Sequence, residues 1–185
     1  MSLEKINQLR MQIMELRGQV ATLQKALPVE AVKDYRFESE SGAVSLSSLL
    51  ADKQSLYVVH NMGTSCNYCM LWADGFNGVS QHLQDYSAFV ISSPDSVETQ
   101  QAYRSERGWD FPMVSVKNNT FAADMGFTSD EGYLPGVSVF KRDGNSIVRV
   151  GSSMFGPGDD FCAVWHLLDL TPEGAHDWQP RKSYI

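Results

Sequence analysis

An apolar run, Leu56-Tyr57-Val58-Val59-His60, a break at Gly63 and then Cys66-Asn67-Tyr68-Cys69 at the head of a helical pattern constrain the fold of this chain more than any other feature. Branched and aromatic residues in so short a run read as a strand. From position 66 the apolar residues Cys69, Trp72, Phe76, Val79 and Leu83 return at intervals of three and four, which predicts a helix over residues 66–84. Gly75 and Gly78 each weaken such a helix by roughly 1 kcal/mol relative to alanine, while permitting close packing. The cysteine pair is therefore expected where a strand passes into a helix.

The flanking segments continue the alternation. Residues 35–38 read as extended, Ser41-Gly42 as a turn, and residues 44–50 as the lead into the strand at 56–60. Residues 88–91 read as a buried parallel strand, followed by a helix with Ser93 as N-cap and Pro94 in its first turn, ending near Gly108. Residues 113–116 form a further short strand. Residues 137–141 and 146–150 flank Arg142-Asp143-Gly144-Asn145, a hairpin signal because Asp-Gly accommodates positive φ. A last helix is expected over residues 159–170. This order predicts an α/β fold, a mixed sheet with helices on both faces.

Ahead of that domain, Ile6, Leu9, Ile13, Leu16, Val20, Leu23 and Leu27 recur with alternating spacings of three and four and lay one apolar seam along a long N-terminal helix that Pro28 ends. The chain divides accordingly into a helix over residues 1–27 and a domain over residues 28–185. The seam suits a coiled coil with a second copy, giving a homodimer, or a resting place on the domain's own surface.

The formal charge of −7 is spread along the chain without a Lys/Arg cluster to hold phosphates, so nucleic acid is not an expected partner. Neither a signal-peptide pattern nor a membrane-length apolar run is present, which leads to the expectation of a cytoplasmic protein with no membrane partner. Three cysteines are too few and too odd in number for a secreted disulfide framework, so the close pair points to redox or metal chemistry.

The run His60-Asn61-Met62-Gly63-Thr64-Ser65-Cys66-Asn67-Tyr68-Cys69, continued by Trp72-Ala73-Asp74-Gly75-Phe76-Asn77-Gly78, resembles a bacterial thioredoxin-like family known as domain of unknown function 899. Gly108-Trp109-Asp110-Phe111-Pro112, Leu134-Pro135-Gly136-Val137-Ser138-Val139-Phe140 and Leu168-Asp169-Leu170-Thr171-Pro172 resemble further signatures of the same family. The resemblance covers nearly the whole chain and implies a thioredoxin-like fold, without a substrate. It also implies a role for Pro135, which stands where thioredoxin-like proteins place a cis-proline against the active-site sulfurs. Such a bond would leave the preceding residue's backbone free to pair with a substrate peptide. The plainer reading is a trans proline that starts a strand.

A cysteine at the start of a helix sits beside unpaired backbone N–H groups and the positive end of the dipole, which favours thiolate. Cys66 is thus the candidate nucleophile, and Cys69, one turn on, the residue that attacks the resulting mixed disulfide. The leading reading is a thiol–disulfide oxidoreductase acting on a disulfide- or thiol-containing protein or small molecule, with no cofactor and no metal. Thiol peroxidase is a second reading, since Gly42-Ala43-Val44-Ser45-Leu46 and Gly108-Trp109-Asp110-Phe111-Pro112 also resemble peroxiredoxins. Their P-x-x-x-[TS]-x-x-C pattern is not met: no proline stands within six residues before Cys66, and Thr64 precedes it by two positions. A third is a dimeric binding or scaffold protein whose dithiol is vestigial or half of a zinc site, needing His60 or a second chain to complete four ligands. His60 otherwise reads as a strand-end residue, Trp72 and Cys162 as core, and Asp74 and Asp124 as lying outside the site. The residues after Trp178 carry no motif.

Overall fold

The run from Leu56 to His60 lies inside an eight-stranded sheet in the computed structural model of the chain, which describes residues 2–184. In chain order, helix α1 (Leu3–Ala26) precedes strands β1 (Glu30–Val32), β2 (Arg36–Ser39) and β3 (Gly42–Ser45), then α2 (Leu46–Leu50) and β4 (Leu56–His60). Next come α3 (Asn67–Gly78), α4 (Ser80–Tyr86), β5 (Ala88–Ser93), α5 (Val97–Arg107), β6 (Met113–Ser115) and α6 (Phe121–Asp124). A small hairpin of β7 (Thr128–Ser129) and β8 (Gly132–Tyr133), a long hairpin of β9 (Gly136–Asp143) and β10 (Ser146–Met154), and α7 (Ala163–Leu168) complete the chain. The large sheet runs β1-β10-β9-β4-β5-β6-β2-β3. Strands β4, β5 and β6 are parallel, whereas β9 joins β4 and β2 joins β6 antiparallel. This is the expected thioredoxin-like mixed sheet.

Side-chain alternation along the central strands feeds two cores, one on each face. Leu56, Val58 and Val90 join Phe37, Leu46, Phe121 and Phe140 under α2 and α6. Val59, Phe89 and Ile91 join Cys69, Trp72, Phe111 and Trp165 under α3 and α7. Two layers of helices around a sheet whose strands are apolar on both sides satisfy the burial that the composition demands.

Several boundaries depart from the sequence reading. The helix expected over residues 66–84 breaks at Val79, whose backbone (φ −121°, ψ 10°) leaves the helical region, dividing α3 from α4 where Gly78 weakens the run. Ser96 rather than Ser93 caps α5, its side chain accepting from Thr99 N–H, while the Ser93 hydroxyl donates to Asp95 instead. Gly108 ends α5 as expected, in the left-handed conformation (φ 66°). The last helix is confined to Ala163–Leu168, because Asp159 turns back on itself, accepting from Gly156 and Phe161 N–H groups. Strand β1 was not legible in the sequence and adds to the outer edge of β10, where Glu30 pairs with Arg149.

Helix α1 carries no buried residue. Its ties to the domain are an ion pair between Arg17 and Asp160 and a hydrogen bond from Gln24 to the Val150 carbonyl (3.5 Å). Ser2 caps it by accepting from Lys5 N–H. No helix among the described residues is long and apolar enough to cross a membrane.

Candidate active site

The loop between β4 and α3 is built to hold a cysteine at a helix start. Asn61 accepts from Gly63 N–H (2.8 Å), and its backbone N–H continues the ladder to the Ser92 carbonyl (2.9 Å). Gly63 adopts φ +101°, and a Cβ there would lie 3.0 Å from the Asp95 carboxylate, so both backbone and space select glycine. The same carboxylate accepts from Thr64 N–H (3.0 Å) and from the Ser93 hydroxyl (3.1 Å), tying the loop to the end of β5. Cys66 N–H then donates to the Gly63 carbonyl (3.1 Å), and α3 begins.

Cys66 is the N-cap of α3, and its sulfur accepts from Cys69 N–H at 3.1 Å, in the place a serine or aspartate oxygen would take. It is half-buried, while Cys69 is buried at 3% exposure; both are free thiols. The two sulfurs are hydrogen-bonded neighbours, and the bond from the Cys69 thiol is the largest influence pulling the Cys66 pKa down to about 7. Burial opposes it, and the N–H groups of Cys69 and Tyr68 reinforce it. Cys69 moves the other way: donation to Cys66, burial and the charge of the neighbouring sulfur all hold it protonated. Met62 N–H points at the Cys69 sulfur (3.4 Å), a donor that would receive charge if Cys69 ionised. The arrangement thus separates an accessible sulfur that ionises near neutral pH from a buried one that keeps its proton.

Around the pair, Tyr68 packs between Trp72 (6.4 Å between centroids) and Trp165 (6.1 Å), and Trp72 continues to Phe155 (5.4 Å). Trp72 is core, as expected. Asp74 lies beyond the dithiol and accepts from Arg107 and from Trp109 Nε1 (2.9 Å), locking α3 to the end of α5. Asp124 belongs to a network on the opposite face, with Tyr35 (2.7 Å) and Lys33 (2.8 Å). Cys162 is buried in the apolar cluster under α3, with its thiol pKa raised by that burial.

His60 faces away from the cysteines. Its ring stacks on Phe127 (3.8 Å) and Phe121 (5.3 Å) in the other core, with Nε2 hydrogen-bonded to the Ser138 hydroxyl (2.9 Å). Burial, aided by Arg149, lowers its pKa to about 3. The strand's own alternation places it there, so it neither polarises Cys66 nor completes a metal site with the pair. Among the described residues no three His, Cys, Asp or Glu side chains gather as metal ligands.

The expectation of a cis bond at Pro135 is corrected: the described residues contain no cis peptide bond. The Leu134 N–H that a cis-proline loop would offer to a substrate already donates to the Phe127 carbonyl (2.9 Å), and the Pro135 carbonyl accepts from Phe155 N–H (2.9 Å). Both bonds hold the approach to β9 extended. Pro135 nevertheless stands one residue before Gly136, the partner of His60 in the ladder, at the sheet end from which the cysteine loop departs.

Asn61 and Asp95 escaped the sequence reading because each is a single polar residue whose partner is distant along the chain. The segment after Trp178 also escaped it. Trp178 packs edge-on against Trp165 (6.0 Å), the Lys182 carbonyl accepts from Arg107 (2.9 Å), and the segment borders an open cleft of about 520 Å³ whose other wall is Asn67, the residue after Cys66.

The fold has many solved counterparts. Peroxidoxin BcpB from Mycobacterium tuberculosis superimposes with a TM-score of 0.56 at 20% identity, over 66% of this chain and 84% of that one. A cysteine-to-serine mutant of PrxQ from Xylella fastidiosa gives 0.59 at 14% identity, over 68% and 84%. The mitochondrial 2-Cys peroxiredoxin from Plasmodium falciparum gives 0.53 at 17% identity, over 70% and 83%. At these identities the likeness establishes the fold. No curated protein matches the chain. The sequence model of the family described as "Bacterial protein of unknown function (DUF899)" matches residues 8–184.

Proposed function

Since the chain belongs to the DUF899 family, a membership that brings no reaction with it, we propose from the geometry of the site that the protein is a thiol–disulfide oxidoreductase working through Cys66 and Cys69. The observation that carries this is the division of labour between the two sulfurs, one half-buried and ionising near pH 7, the other buried, protonated and hydrogen-bonded to it. The Cys66 thiolate attacks one sulfur of a substrate disulfide, forming a mixed disulfide and expelling the first substrate thiolate. Loss of negative charge at Cys66 removes what held the Cys69 proton, and the Met62 N–H stabilises the new thiolate. Cys69 then attacks Cys66, releasing the second substrate thiol and leaving a Cys66–Cys69 disulfide. Two electrons pass to the substrate, and the protons from the dithiol accompany them. The reverse sequence oxidises a substrate dithiol. Pro135 borders the approach to Cys66, and α1 joins two copies through its apolar seam.

Thiol peroxidase is the second reading, favoured by the peroxiredoxins among the structural counterparts. Mixing the reduced protein with a small disulfide and with hydrogen peroxide separates the two. Oxidoreductase action yields an intramolecular Cys66–Cys69 disulfide in step with substrate thiol release, abolished in Cys66→Ser. Rapid peroxide-driven sulfenate at Cys66, with slow disulfide reaction, would overturn it in favour of peroxidase chemistry.

A further inference from the structure

Resting on the exchange reaction above, we propose that the C-terminal segment forms the substrate site and that Arg181 selects disulfides carrying a carboxylate. The cleft of about 520 Å³ is bounded on one side by Asn67, the residue next to the nucleophile, and on the other by residues 177–181 and Tyr184. Its outer wall is held in place rather than loosely apposed. Trp178 packs on Trp165, which itself packs on Tyr68 inside the Cys-x-x-Cys motif. Pro180 is buried, the Lys182 carbonyl is bound by Arg107, and Lys182 Nζ lies 5.8 Å from the centre of the Tyr103 ring. Arg107 is in turn fixed by Asp74 of α3, so one network positions both the helix bearing the cysteines and the segment facing it.

Arg181 lines this cleft, and its guanidinium has no hydrogen-bond or ion-pair partner among the described residues; only its backbone N–H is engaged, by the Tyr184 hydroxyl (3.2 Å). The other charge on the cleft, Asp177, is 95% exposed at the rim and directed at His176 Nδ1 (2.9 Å). An exposed, unpaired planar fork in a cleft that Asn67 borders, in a chain of formal charge −7, fits the carboxylate of a small acidic disulfide better than a neutral group. The cation acts on binding and not on the sulfur, because the influences that lower the Cys66 pKa are its hydrogen bonds with Cys69 and the neighbouring backbone. Affinity for the carboxylate and reactivity of the thiolate are therefore separable.

The test compares 3,3′-dithiodipropionate with its neutral diamide as oxidants of the reduced full-length protein, in Arg181→Gln and Arg181→Lys. The wild type prefers the dianion. In Arg181→Gln the ratio of single-turnover second-order rate constants, dianion over diamide, falls about three- to ten-fold, through weaker binding, while the pH inflection of Cys66 reactivity stays in place. Arg181→Lys keeps part of the preference, and added salt erodes it in the wild type. A ratio unaltered by Arg181→Gln overturns the assignment, as does an equal loss on both oxidants. Failure of both oxidants to produce the Cys66–Cys69 disulfide in the wild type overturns the exchange reaction itself, and the substrate site with it.

Discussion

Replacing Cys69 by alanine removes the donor that most lowers the Cys66 pKa while leaving the backbone N–H groups of Cys69 and Tyr68 in place. The Cys66 inflection, near 7 in the native dithiol, therefore rises toward the ordinary 9.0 without fully reaching it. A rise of about one to two units cuts the thiolate fraction at pH 7 about five- to fifty-fold, by the titration of a single acid. The more basic sulfur is also the better nucleophile, with a Brønsted slope near 0.4–0.5, which returns about three- to eight-fold. Reactivity toward a neutral disulfide at pH 7 should fall about two- to six-fold, and above pH 9 the variant should be the faster protein by about three- to eight-fold. The two profiles cross. The assay is the pH dependence of the initial rate of thiol release from 4,4′-dithiodipyridine under pseudo-first-order conditions, with Cys162→Ala in both backgrounds so that attack by Cys66 sets the rate. Cys69→Ser, which retains a hydroxyl donor, should lie between. Superimposable profiles for wild type and Cys69→Ala, or a wild-type inflection at the ordinary thiol value, would refute the hydrogen-bond origin of the thiolate.

Because His60 is held neutral by burial, the unfolded chain binds a proton between pH 6.5 and about 3 that the folded one does not. This contribution to stability is complete above pH 6.5 and is lost as pH falls, by about 1.4 kcal/mol per unit. Urea midpoints from pH 7 to 4 should fall more steeply for the wild type than for His60→Phe; equal slopes would contradict the buried neutral ring. Gly136→Ala drives a Cβ into the Phe127 ring and the Ser153 carbonyl, so it should lower stability by about 1–3 kcal/mol in denaturant unfolding. Leu16→Glu introduces charge into the exposed seam of α1, and in sedimentation it should convert a dimer to a monomer without altering the circular dichroism of the domain; a monomeric wild type at micromolar concentration would exclude the seam as an interface.

The sheet was legible because its central strands are short β-branched and aromatic runs, and the site because two cysteines stand between such a run and a helical pattern. What local pattern cannot reveal is which of several polar residues finds a distant partner. Ser93 read as the cap, and Ser96 takes that place because Asp95 is drawn to the cysteine loop and engages the Ser93 hydroxyl. His60 looked close to Cys66 along the chain, yet strand alternation put it in the opposite core. Pro135 was placed correctly at the sheet end, but its bond geometry is set by hydrogen bonds from Leu134 to Phe127 and from Phe155 to Pro135. The C-terminal wall of the cleft depends on Trp178 packing against Trp165 and on Arg107 reaching the Lys182 carbonyl 75 positions away, and no periodicity announces either meeting.

The most direct measurement is the redox titration of the full-length protein in glutathione buffers, counting alkylated thiols by mass spectrometry. Exchange through the pair requires Cys66 and Cys69 to titrate together as a single two-electron couple, at a potential between about −270 and −120 mV, with Cys162 alkylated throughout. A mutual disulfide that never forms at any glutathione ratio, or sulfurs that titrate separately as mixed disulfides, would contradict it.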